Sequence, residues 1–230
     1  MGDEIMSLDF SFLSRFGTSF LEGTGVTVSI SLVALCFGFI IGIIICMAKI
    51  SKSKVLRAIS SIYIEVLRGT PLLVQIYIVW FGLPQLGIRF PMLFGIPSEF
   101  IASAFALSVN SGAYVAEILR SGIQSVDNGQ MEASRSLGLN YWSTMRYIII
   151  PQAIKNILPS LANEFITLVK ESSIISVIGV VEIMRTADIV KNAAFRALEP
   201  LIVAAAIYFV ITFTLSRLVG LLEKKLSVSN

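Results

Sequence analysis

The sequence predicts an all-α integral membrane protein of about five transmembrane helices, with the N-terminus outside and the C-terminus in the cytoplasm. Three observations predict it. Of the 230 residues 55% are hydrophobic and only 14% are charged, against about 45–50% and about 25% in soluble domains. The apolar residues gather in runs that match the roughly 20 residues a bilayer crossing takes. Lys49, Lys52, Lys54 and Arg57 close the first such run with no acid among them, and basic flanks face the cytoplasm.

Residues 1–24 read as an N-terminal interfacial segment in which Phe10, Phe12, Phe16 and Phe20 alternate with polar residues. Asp3, Glu4, Asp9 and Arg15 interrupt any signal-peptide core, so the first apolar run is expected to be retained. Residues 25–225 read as one membrane domain and 226–230 as a short tail.

The first span runs from about Gly25 to Ala48. Its Gly38 and Gly42 form a Gly-x-x-x-Gly pair that admits a close helix neighbour, either within the subunit or in a second copy. The second, about Ala58 to Leu83, holds Glu65, Arg68, Gly69, Thr70 and Pro71. The turn-rich stretch up to Pro97 then lies outside. A third span, Ser98 to Ile118, carries Asn110, Tyr114 and Glu117 and returns to Arg120. The fourth, Ile148 to Leu168, is interrupted by Pro151 and Pro159. Lys170 to Glu199 includes Glu171, Glu182, Arg185, Asp188, Lys191 and Arg196 and is expected outside as helical pieces. Leu201 to Leu222 is the fifth span and closes on Glu223, Lys224 and Lys225.

Composition also excludes chemistry. Histidine is absent, which removes His-based zinc sites, triads and proton relays. Cys36 and Cys46 share one apolar run, where they act as small hydrophobes rather than as a disulfide or metal site. No metal site and no nucleic acid partner are expected. No internal repeat is visible, so two-fold symmetry in an assembly of this chain is expected to come from a second copy.

Residues 127–147 form the longest polar and amphipathic interval between spans, on the cytoplasmic side. Asp127 or Asn128 is placed to cap a short helix from Gly129 to Leu137, Gly138 to stop it, and Asn140 to cap a second helix beginning at Tyr141. The element presents Met131, Leu137, Tyr141 and Trp142. Such a surface suits an anchor for a partner's groove, and equally an aromatic belt at the headgroups.

Glu132-Ala133-Ser134, Gly138 six residues after the Glu, and Ile148-x-Ile150-Pro151 resemble the Glu-Ala-Ala, Gly, Ile-x-Leu-Pro signature of permease subunits of ATP-binding-cassette importers. Ser134 and Ile150 depart from the usual Ala and Leu. The runs Glu65 to Gln75, Gly112 to Gly122 and Asn163 to Lys170 are further matches, similar to the polar amino acid uptake subfamily. The resemblance covers about Gly25 to the C-terminus. It implies the transmembrane fold of a type I importer, a permease for polar amino acids such as arginine, histidine, lysine or glutamine, and a location in the bacterial cytoplasmic membrane. It also implies that Met131, Glu132, Ala133, Ser134, Leu137 and Gly138 belong to a coupling helix that enters a cleft on an ATPase subunit.

The chain has no Walker A motif, so ATP hydrolysis belongs to another polypeptide and this subunit is not an enzyme. The expected partners are two ATPase subunits carrying ATP and Mg, a second permease copy, an extracytoplasmic substrate-binding protein, the amino acid and the bilayer. No cofactor is expected in this chain. An ion-coupled secondary amino acid transporter is the alternative, disfavoured by the missing repeats and by the docking loop.

Ionisable residues within spans are costly and are functional candidates by default. At about 1.5 Å per residue, Arg68 stands about 16 Å above Arg57 and Glu164 about 20 Å above Pro151, both near mid-membrane. The expectation is that Arg68 and the break at Gly69, Thr70 and Pro71 meet a substrate carboxylate, while Asn110, Asn163 and Glu164 meet its nitrogen groups. The alternative is that Arg68 pairs with Glu65 or Glu164 only to hold helices together. Glu117 and Tyr114 are expected to gate or to brace the structure, Glu117 by pairing with Arg120.

Overall fold

The computed structural model describes residues 8–227, and those residues contain ten α-helices and no strand. They are α1 (Leu13–Lys49), α2 (Lys54–Gly69), α3 (Leu72–Tyr77), α4 (Leu83–Gln85), α5 (Ser98–Gln124), α6 (Asn128–Ser136), α7 (Tyr141–Thr144), α8 (Ile150–Glu171), α9 (Ile183–Ala194) and α10 (Glu199–Ser227). π-Helical turns at Ile78–Gly82 and Met145–Ile149 and a 3₁₀ stretch at Ser172–Ile178 link some of them.

Helices α1, α5 and α10 are long and apolar enough to cross a membrane, and α2 with α3–α4 makes a fourth crossing if the bent pair counts as one. Helix α8 has the length, but Lys155, Glu164, Lys170 and Glu171 make it amphipathic, and it packs its apolar face on α5 and α10. Burial ranks the long helices: 61% of the most apolar stretch of α5 is buried, against 33% in α1 and 11% in α10. Helix α5 is therefore the axis, and α10 keeps most of its surface for lipid or a neighbour.

The alternation of small residues along α5 explains its place. Ala102, Ser103, Ala106, Leu107, Ser111, Ala113, Val115 and Ala116 are all buried, and small side chains let helices approach in a membrane, where dispersion rather than water exclusion drives packing. Helix α1 answers with Gly38 and Gly42, which lie on α5 of the same subunit. A Cβ on Gly42 would come within 2.5 Å of Val115 Cγ1 and 3.1 Å of the Ala116 backbone nitrogen. Gly42→Val should therefore overpack the contact and cost about 1–3 kcal/mol. The measurement is thermal unfolding in detergent, where an unchanged midpoint would refute so tight a seam.

Three segments add detail to the sequence expectation. Helix α1 is a single 37-residue helix that runs through Gly25, so the part of the interfacial segment within the described residues is continuous with the first span; at 1.5 Å per residue the helix is about 55 Å long, well over the bilayer core. The second span is broken between Gly69 and Leu72 by a 106° bend, since Pro71 lacks an N–H and forces Thr70 into extended backbone. The interval Lys170 to Glu199 is helical in pieces, as expected, but it packs into the bundle: Ile175, Ile183, Ala187 and Val190 are fully buried.

Glu182 makes that docking possible. It is fully buried, yet its carboxylate caps α9 by accepting the Met184 and Arg185 N–H groups at 2.8 and 2.7 Å, and it accepts the Tyr208 hydroxyl of α10 at 2.6 Å. At the corner between α9 and α10, Arg196 Nη2 lies 2.9 Å from Asp9 Oδ2, and hydrogen bonds from Ser11 hold the Asp9 carboxyl below its ordinary range. Of the tail, residues 228–230 lie outside the described residues, as do residues 1–7 of the N-terminal segment.

Candidate functional site

Two regions collect the candidate residues. The first is the loop between α5 and α8. Asp127 Oδ1 accepts the Gly129 N–H at 2.7 Å and opens α6. The N–H groups of Gly138 and Leu139 donate back to the Arg135 and Ser134 carbonyls at 3.0 and 3.1 Å, with Gly138 at φ +89, the left-handed conformation glycine adopts at helix ends. Asn140 Oδ1 then accepts the Ser143 N–H at 2.9 Å and opens α7. Ser134 turns inward and is buried, its hydroxyl donating to the Gln130 carbonyl.

The loop presents large apolar side chains outward among its polar ones. Leu137 is 85% and Trp142 76% exposed, Glu132 and Ala133 are exposed beside them, and Met131 is half-buried. The π turn Met145–Ile149 buries Met145 and Ile149 and fastens this element to α8. Pro151 accounts for the irregular winding, because it has no N–H to return to the Tyr147 carbonyl.

The second region surrounds the break in the second span. Gln75 Nε2 donates to the carbonyls of Leu67 and Thr70 at 2.8 and 3.1 Å and to Thr70 Oγ1 at 2.9 Å, filling the acceptors the break exposes. Asn110 of α5 joins this strap through Nδ2, which donates to Gln75 Oε1 at 2.9 Å and to the Leu67 carbonyl at 3.3 Å. Both amide hydrogens of Asn110 are thereby engaged, and Oδ1 is the atom through which it receives a donor. One residue on, Ser111 Oγ donates to Glu164 Oε1 at 2.8 Å. Asn110 and Ser111 thus bring the end of α2, the start of α3 and the middle of α8 to one level of α5.

Arg68 occupies the exposed end of α2, its guanidinium 5.2 Å from the centre of the Tyr114 ring, a cation–π distance. Among the described residues it forms no ion pair with Glu65, Glu164 or any other acid, although it acts electrostatically on Glu164 and Glu117. Nearer the loop, Glu117 holds Arg120 at 2.7 Å through Nη2, with Nε at 3.1 and 3.2 Å. Gly69 has open space around it and Thr70 is exposed but tied to Gln75. Asn163 is exposed on α8, and its side chain is not drawn into the Asn110–Ser111–Glu164 cluster.

Sequence reasoning passed over Ser111 and Gln75 as site residues. The signals were modest: a hydroxyl adjacent to Asn110, and a glutamine within an apolar run. Glu182 was read as an outside charge rather than as a buried cap.

Residues 34–228 match the family described as binding-protein-dependent transport system inner membrane component. An arginine transport system permease protein of Bacillus subtilis is 44% identical over 221 residues, covering 96% of this chain and 98% of that protein. A protein of Rickettsia bellii provisionally named as a glutamine transport system permease is 42% identical over 224 residues, covering 96% of this chain and 100% of its own. Among solved structures, that of an amino acid ABC transporter with histidines superposes with a TM-score of 0.89 at 47% identity, covering 96% of this chain and 100% of the other.

Proposed function

Because this chain belongs to the family of binding-protein-dependent transport system inner membrane components, we propose that an amino acid crosses the membrane along the Arg68, Asn110 and Glu164 cluster. The chain is the permease subunit of an amino acid ABC importer and a multi-pass protein of the bacterial cytoplasmic membrane. In the full reading two copies assemble with two ATPase subunits that carry ATP and Mg, and an extracytoplasmic binding protein delivers the substrate. The loop Asp127 to Tyr147 is the coupling element: Met131, Glu132, Ala133, Leu137 and Gly138 dock on the ATPase, and Ser134 packs the helix from within.

One observation carries the substrate site. An exposed guanidinium with no acid partner among the described residues and a buried carboxylate lie about one turn apart along α5, at Tyr114 and Ser111, and a zwitterion needs a cation for its carboxylate and an acceptor for its ammonium group. Arg68, with the break at Gly69 and Thr70, takes the carboxylate. Glu164 and Asn110 Oδ1 take nitrogen groups, and Asn163 lies at the edge of the path. Tyr114 braces Arg68 from below, and the Glu117–Arg120 pair marks the cytoplasmic end. Glu65, Glu164 and Glu171 against Arg68 and Lys170 leave one acid in excess, which favours basic amino acids among the polar ones.

The test is ATP-dependent uptake of arginine by the chain reconstituted with its ATPase and binding protein in proteoliposomes. Arg68→Ala removes a charge-assisted hydrogen bond of about 1.5–3 kcal/mol and is expected to raise the half-saturating substrate concentration about tenfold to hundredfold. Half-saturation equal to the parent's would reject Arg68 as the carboxylate's partner.

A further inference from the structure

We propose that the groove between α1, α5 and α8, beside the coupling loop, holds one anionic phospholipid whose headgroup rests on Lys52 and Arg135. The groove is large, about 1130 Å³. Its walls are aliphatic and aromatic, with Phe39, Ile43 and Met47 from α1 facing Ile154 and Leu158 from α8. All five are more than a third exposed, so the subunit's own packing leaves this trough uncovered.

The polar residues lie together at one end. Ser51, Lys52 and Arg135 line the mouth with Tyr141 and Trp142, and no acid lines the groove at all. Among the described residues neither the Lys52 nor the Arg135 side chain has a hydrogen-bond or ion-pair partner, and the Ser51 hydroxyl oxygen is buried without a hydrogen-bond partner. A long apolar trough that ends in two unpaired cations and an orphan hydroxyl has the chemistry of acyl chains joined to a phosphate. Basic pockets between transmembrane helices on the cytoplasmic side recognise anionic headgroups in this way, and the Trp142 and Tyr141 rings lie where interfacial aromatics meet the headgroup layer.

Other occupants fit less well. Water would satisfy Ser51 but not the trough. A second copy seated by the same face would set its own Lys52 and Arg135 against these two, like charge against like charge. Neutral phosphatidylcholine would fill the trough while leaving the two cations without a net countercharge. The inference rests on the coupling loop facing the cytoplasm, and it requires no substrate assignment.

Its consequence is mechanical. The lipid would touch Arg135 of α6 and the start of α8 together, so an anionic inner leaflet would set how firmly the coupling element is seated against the spans.

The experiment is native mass spectrometry of the permease–ATPase complex, titrated with phosphatidylglycerol or phosphatidylcholine. Phosphatidylglycerol is expected to remain at one per permease copy, at least fivefold over phosphatidylcholine. Lys52→Glu should abolish that preference and Lys52→Arg should keep it. Soluble glycerol phosphate should not displace the lipid. Equal retention of the two lipids, or a preference that survives Lys52→Glu, would overturn the proposal, as would displacement by glycerol phosphate. In a background lacking Cys36 and Cys46, Ile154→Cys should form no disulfide between permease copies on oxidation; a disulfide-linked pair would give the groove to a second copy and likewise overturn it. Since the readout is lipid retention, it stands or falls separately from any failure of amino acid uptake.

Discussion

Leu137→Asp is expected to abolish ATP-driven uptake, by at least about a hundredfold, in a permease that still folds. Leu137 is 85% exposed at the end of α6 and makes no core contact, so its replacement does not reach the packing of the spans. In a docked complex the same side chain is buried. Losing a buried leucine forfeits about 1.5–3 kcal/mol, and desolvating an unpaired carboxylate adds several more. Together these exceed the 2.7 kcal/mol that separates a hundredfold difference in affinity. Gly138→Val attacks the same element by a different route. Nothing lies within 4 Å of its Cβ position, so the obstacle is the backbone: φ +89 is a conformation β-branched residues avoid, at a cost of about 1–3 kcal/mol. Both variants are read by co-purification of the ATPase and by uptake. If the ATPase co-purified with both variants as it does with the parent, α6 would not be the docking element.

The accuracy of the sequence reading at this loop and its shortfall elsewhere have the same origin. Asp127, Gly138 and Asn140 act on partners two or three residues away, so helix caps and stops are legible from composition alone. The residues that assemble the substrate cluster are not neighbours in sequence: Ser111 and Glu164 are 53 positions apart, Asn110 and Gln75 35. Gly69-Thr70-Pro71 announced a break but carried no information about a 106° bend, because the angle is fixed by Gln75 and Asn110 strapping the two pieces. Lys170 to Glu199 looked external because it holds eight ionisable residues. Counting charges cannot reveal that Glu182 spends its carboxylate on its own helix cap and on Tyr208, which is what allows it to be buried. Arg68 was legible as a costly intramembrane charge, while its lack of an ion-pair partner became visible only when α2, α5 and α8 were placed together.

Glu164→Gln is the substitution that separates a substrate contact from a structural strut. Glutamine is isosteric, and its Oε1 can still accept the Ser111 hydroxyl, so the α5–α8 contact at 2.8 Å is retained and the fold is preserved. What disappears is the capacity to carry a negative charge opposite a cationic substrate group, at a site only 8% exposed where water screens little. A hydrogen bond between charged groups is worth about 1.5–3 kcal/mol. Arginine uptake should therefore need about ten to a hundred times more substrate for half-saturation, while glutamine, whose side chain carries no charge, should change by less than about threefold. Glu164→Ala is less informative, since it leaves Ser111 unpaired in the core and mixes a packing defect with a binding one. If arginine and glutamine shifted equally in the Gln variant, the charge would not be read by the substrate side chain, and the carboxylate would act on the amino group that both share. If neither shifted, Glu164 would serve only to hold Ser111, and the charge of the transported amino acid would have to be selected by the binding protein before it reached the membrane.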